Sequence, residues 1–167
     1  MRHTPLLTFA GLAWYLALAV VLRDWPLPKA PADIVAPPAP EALALGFLAT
    51  SDAFYSGAIG YAGTPSPQAL AWNTLLQLPR ADSLFQHLFE VGNRPGQLYA
   101  LAGLYYVDSI GFRRAEAQLA GIKEDVEAME GCVLARRPLT DLLAEVRSGR
   151  WSGMLRTIRP FPKQLLN

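Results

Sequence analysis

A single cysteine, Cys132, excludes an intramolecular disulfide, and two histidines, His3 and His87, are too few for a histidine-built metal cage. Alone, Cys132 reads as a small buried hydrophobe. No Gly-Lys-Ser/Thr follows the glycines at 57, 60 and 63, so they supply backbone freedom and not a phosphate loop. Ser56 lacks the glycine two positions earlier that a nucleophile elbow requires. His87 and Glu90 stand three apart on one helix, but two ligands do not make a metal site. The acids Glu124, Asp125, Glu127 and Glu130 lack the loop glycine and alternating ligand spacing of a calcium loop, and read as a solvated helix face. Cys132 with His87 as nucleophile and base has nothing but co-occurrence behind it. No catalytic, cofactor-binding or metal-binding residue is therefore assigned, and the chain is not expected to be an enzyme. Charge is scarce too: 17% of residues are charged and 51% hydrophobic, against about 25% charged in an ordinary soluble domain.

Part of that apolar excess is local. Between His3 and Arg23 there is no charged residue, and as a helix the run 4–22 would span roughly 28 Å, close to the thickness of a hydrocarbon core. Residues 1–25 thus read as a single-pass transmembrane anchor. Its lipid-facing candidates are Leu6, Leu7, Phe9, Leu12, Trp14, Leu16, Leu18, Val20, Val21 and Leu22, with Trp25 at headgroup level. A cleaved signal is the alternative; its best small-x-small site, Ala30-Pro31-Ala32, lies far past the apolar run. The short head before the anchor favours a periplasmic or extracellular domain.

Six prolines, at 26, 28, 31, 37, 38 and 40, forbid helix or central strand over 26–40 and make it a linker. Residues 41–153 are expected to form an all-helical globular domain, with an extended basic tail over 154–167. Apolar spacing predicts a first helix over 41–55. Two stretches then match at an offset of 28 residues, Pro67 falling on Pro95, Leu70 on Leu98, Leu76 on Leu104, Leu84 on Phe112 and Val91 on Leu119. Each reads as a helical hairpin, 67–78 with 83–91 and 95–107 with 109–119. Ser66, Asp82 and Asp108 are candidate N-caps. Either two stacked 28-residue helix-turn-helix units or one orthogonal bundle uses these elements. A helix ending near Gly131 and a last helix over 140–147 complete the expectation, with Trp151 folding back as a core plug.

Charge is segregated along the chain. Between Asp33 and Ala135 eleven acids face five bases, while from Arg136 onward seven bases face two acids. That basic end, with its aromatics, supplies the partner-binding candidates Arg136, Arg137, Arg150, Trp151, Arg156, Arg159 and Phe161. The competing expectation is that these bases neutralise the chain's own acidic face. Tyr105 and Tyr106 join the candidates because tyrosine is enriched in binding hot spots. The expected function is a non-catalytic, membrane-anchored accessory or scaffold subunit acting through protein–protein contacts. Its partners would be an integral membrane protein complex and the lipid bilayer, with no nucleic acid. The alternative is an exported periplasmic binding or inhibitor protein of immunity type.

Overall fold

A four-stranded mixed sheet runs through residues that the periodicity assigned to helix and loop. The structure, a computed structural model, describes residues 39–156. In chain order these form α1 (Pro40–Ala49), β1 (Phe54–Ile59), β2 (Thr64–Pro65), α2 (Pro67–Leu76), α3 (Ala81–Val91), α4 (Arg94–Val107), α5 (Ser109–Leu119), β3 (Asp125–Gly131), β4 (Val133–Pro138), α6 (Leu139–Arg147) and α7 (Arg150–Arg156). The sheet order is β2-β1-β3-β4, with β1 and β3 parallel and the outer pairs antiparallel. The all-helical expectation is corrected: this is a helical layer packed on one face of a sheet.

Each correction has a local cause. The first helix stops at Ala49, and Phe54 to Ile59 form β1 by pairing with β3, with Gly57 letting the strand pass against the backbone of α7. A Cβ at that position would penetrate the Met154 carbonyl oxygen and sit 2.9 Å from its carbon. The acids at 125–130 belong to a strand: Val126 and Ala128 are buried while Asp125 and Glu127 are exposed, an alternation of period two. Gly131, expected to stop a helix, begins a two-residue hairpin turn with Cys132. Its φ of +59° suits the first central position of a type II′ turn. Cys132 is exposed in that turn and not buried. The basic tail, expected to be extended beyond Gly153, begins instead inside α7, which runs to Arg156.

Among the described residues no helix is long and apolar enough to cross a membrane. The anchor candidates Leu6 to Trp25, the linker up to residue 38, Arg159 and Phe161 lie outside the described residues. The expectation of a single-pass chain with an exported domain is corrected on this ground, since nothing in the described structure places the domain at a bilayer.

The four central helices lie close to their expected spans, and their caps explain why. Ser66 accepts from the Ala69 N–H at 3.1 Å ahead of Pro67. Asp108 accepts from the amides of Ile110 and Gly111 at 3.1 and 2.9 Å. The Gly111 bond leads in holding the Asp108 carboxyl below its usual range. Asp82 is not the N-cap of α3; it lies inside the first turn, where its charge suits the positive end of the helix dipole. Asn93 caps α4 by accepting from Gly96 at 3.0 Å.

The matched positions of the two 28-residue stretches do not share environments. Pro67 is exposed and Pro95 buried; Val91 is 54% exposed and Leu119 2%. Leu70 and Leu76 are half-buried where Leu98 and Leu104 are buried, leaving Leu84 and Phe112 as the one alike pair. The closest helix pairing is α3 with α4, across the boundary between the supposed units.

Helix α4 is the centre of the domain and touches α1, α2, α3, α5, α6, α7, β1 and β3. That explains its unbroken apolar run, with Leu98 to Leu104 all buried, since a helix packed on every side needs no polar face. Gly103 admits the Phe85 ring, whose atoms would lie 2.5 Å from a Cβ there. Tyr99 bridges α4 to the sheet: its Oη accepts from the Tyr55 N–H at 2.6 Å, and its carbonyl accepts from Trp72 Nε1 at 3.1 Å. Burial raises the Tyr99 phenol above its ordinary value, so it stays neutral and can also donate, with the Tyr55 carbonyl at 3.3 Å.

Candidate interaction surface

Of the described partner-binding candidates, all but Arg136 fall in two places. Arg137, Arg150 and Trp151 converge on one partly buried carboxylate, Glu145 of α6. Arg137 reaches from β4 to give it two parallel bonds, Nη1 to Oε2 at 3.0 Å and Nη2 to Oε1 at 2.9 Å. Trp151 Nε1 donates to Oε2 at 2.7 Å, and Arg150 Nη1 lies 3.0 Å from Oε1. The other arm of Arg150 binds Glu130 of β3. Trp151 itself is fully buried, stacked on Phe54 with ring centroids 4.1 Å apart, which is the core-plug role. The cluster clamps α6 and α7 to the β3–β4 hairpin.

This clamp decides between the two readings of the charge split for much of the basic end. Arg137 and Arg150 are spent on Glu145 and Glu130, and Arg147 binds Glu116 of α5 at 2.7 Å. These three bases neutralise the protein's own acids, which is why segregated charge along the chain becomes interleaved charge in the fold. Among the described residues Arg113, Arg114, Lys123, Arg136 and Arg156 make no ion pair within 4.0 Å.

The clamp is pH-dependent with a definite sign. The hydrogen bonds from Arg137, foremost, then from Trp151, hold the Glu145 carboxyl well down, at about 2 against an ordinary 4.5. A depressed acid contributes stability that is complete above its unfolded value and is lost as pH falls through the folded one. The stability difference between wild type and Glu145→Gln is therefore expected to be constant above pH 4.5 and to shrink as pH drops toward 2. Chemical denaturation of both proteins across that window checks it; parallel curves throughout would remove Glu145 from the clamp.

The second place is the corner between α4 and α5. Tyr105 and Tyr106 are each 38% exposed, and Ile110 is 63% exposed beside them in the sequence at the start of α5. The rings are held in place. Tyr105 meets Tyr106 edge-on at 5.5 Å and Phe112 at 5.9 Å, while Tyr106 meets Trp72 at 6.2 Å. The Arg156 guanidinium lies 5.1 Å from the Tyr106 ring centroid, a cation–π contact that joins two of the expected residues. Gly149, at φ +78°, packs its α-carbon side against the Tyr105 hydroxyl. Arg136 stands elsewhere, on the exposed face of β4 opposite Glu127.

Sequence reasoning missed Val107 and Ile110 as exposed apolar groups, and the groove beside α5. This groove, of about 410 Å³, lies between α3, α4 and α5, with Phe89, Leu104 and Ala115 along its apolar part and Glu90, Arg114 and Gln118 among its polar lining. The signal available was Ile110 following the cap Asp108, an apolar residue in a first turn that needs none.

Groups with chemical potential do not converge at either place. His87 is exposed, with Nδ1 3.9 Å from Glu90, and Cys132 sits in the β3–β4 turn. Among the described residues no three His, Cys, Asp or Glu side chains are grouped to hold a metal ion. No family model matches this sequence, and no curated protein or solved structure is similar enough to it to indicate kinship.

Proposed function

We propose that this domain is an accessory protein that acts through protein–protein contacts and carries out no reaction of its own. The observation that carries the reading is the aromatic corner, where Tyr105 and Tyr106 are half-exposed yet fixed by Trp72, Phe112 and Arg156. Tyrosines ordered before binding lose little side-chain entropy on contact, which is the property of hot-spot anchors. The neighbouring Val107 and Ile110 widen the apolar patch, and Arg113 and Arg114 of α5 add positive charge that no ion pair among the described residues consumes. A partner segment that is apolar at its centre and acidic at its margin fits this combination. Attachment to a membrane is not part of the proposal.

A photo-cross-linking residue at Ile110 of the full-length chain, with the exposed Lys123 as the control position, tests it in cells. A discrete protein adduct is expected from position 110 and not from 123, and Tyr106→Ala should remove most of it while the circular dichroism spectrum stays unchanged. An adduct at 110 indifferent to Tyr106→Ala, or none, would refute the assignment of this corner.

A further inference from the structure

The two edges of the sheet differ in a way that points to a second copy of the chain. On one side β2 is two residues long and ends in Pro65, whose missing N–H stops further pairing. On the other, β4 is six residues long and pairs with β3 in unbroken register from Asp125↔Pro138 to Glu130↔Val133, without a bulge. Among the described residues no strand pairs with its far side. Sheet edges are usually defended by a charge, a proline or a bulge near the middle of the strand. In β4 the charges and the proline, Arg136, Arg137 and Pro138, run from the middle to the C-terminal end, and the first half, Val133-Leu134-Ala135, is uncharged and exposed, at 65% for Val133 and 55% for Leu134.

We infer that β4 pairs antiparallel with β4 of a second copy about a two-fold axis at Leu134, giving one continuous eight-stranded sheet. Charge permits this arrangement and disfavours the parallel one. In-register parallel pairing would set Arg136 beside its own copy and Arg137 likewise. Antiparallel pairing about Leu134 places Val133 opposite Ala135, and Arg136 opposite the uncharged Cys132. The two Arg136 side chains are then four residues apart along the strand, roughly 14 Å, beyond the ~8 Å screening length. Arg137 requires nothing from a partner because Glu145 holds it. On the inner face, Val133 of the second copy lands beside Ala135, which lines a cleft of about 330 Å³ with Ala128 and Trp151. The site is independent of the aromatic corner, so either can fail without the other. A single strand edge is a small interface, and a weak, concentration-dependent dimer follows.

The test uses the full-length chain and the fact that directly opposed residues meet across an antiparallel pair. In sedimentation at high micromolar concentration the wild type is expected as a dimer. Leu134→Lys and Leu134→Glu should each halve the mass, since each opposes like charges, and an equal mixture of the two should restore the dimer. Leu134 is exposed, so neither change threatens the fold. In a Cys132→Ser background, Leu134→Cys should form an interchain disulfide under mild oxidation that Arg136→Cys does not. A monomeric wild type, unchanged mass in Leu134→Lys, failure of the mixture to pair, or equal cross-linking at 134 and 136 would each overturn the inference.

Discussion

Trp151→Ala is expected to lower the unfolding free energy by about 3–5 kcal/mol. The side chain is fully buried, stacks on Phe54 of the central strand at 4.1 Å, and donates to Glu145 at 2.7 Å. Truncation therefore empties a ring-sized volume between α7 and the sheet and leaves the clamp carboxylate short of one donor. Trp151→Phe separates these contributions. It keeps most of the stack and loses only the N–H bond, so its cost should be nearer 1–2 kcal/mol. Urea denaturation of the three proteins gives the comparison. An alanine variant within 1 kcal/mol of wild type would show that α7 is not anchored through this ring.

The second large effect concerns two glycines, and the signs are opposite. Gly57→Ala introduces a methyl group into the Met154 carbonyl, a backbone group of α7 that cannot rotate away. The strand and the helix must separate, at an expected cost of about 3 kcal/mol or more. Gly46→Ala, in the exposed interior of α1, meets nothing within 4 Å and has no unusual backbone angle. It should stabilise the protein by about 0.5–1 kcal/mol, because alanine loses less conformational freedom on entering a helix. Thermal unfolding of both variants, measured side by side, checks the pair. If Gly57→Ala unfolds at or above the wild-type temperature, β1 does not abut α7 as described.

The helices of the middle of the chain were legible because their ends are chemically marked. Pro67 after Ser66, and Asp108 before Ser109, fix first turns whatever the rest of the chain does. The strands were not, for two physical reasons. In β3 the buried positions are Val126 and Ala128, and alanine contributes too little apolar contrast for the alternation to stand out among the acids. In β1, pairing is decided by distant chain: Phe54 is registered against Ala128, 74 residues later, and no local pattern reports that. The transmembrane reading of 1–25 falls outside the described residues, and no described helix supplies a substitute.

The candidate surface was half legible. Tyr105 and Tyr106 were found from residue type alone and do lie half-exposed at one corner. For the arginines the sequence shows which bases exist but not which acids the fold brings to them. Arg137 and Glu145 are eight residues apart yet belong to a strand and a helix, and Arg147 finds Glu116 across 31 residues. Among the described candidate arginines, Arg156, which leans on Tyr106, is the one at the corner that the tyrosines define.

The parallel partnership of β1 and β3 also sets an order of events at the ribosome. Four helices, α2 to α5, are synthesised between the two strands, so the nascent chain must emerge past Gly131 before Phe54 can meet Ala128. Until then β1 has only the two-residue β2 as a strand partner, and the helices must gather around α4 against an incomplete sheet. Any stall in translation within that interval would present a cell with an exposed half-built strand, which the late hairpin and the two helices that follow it close.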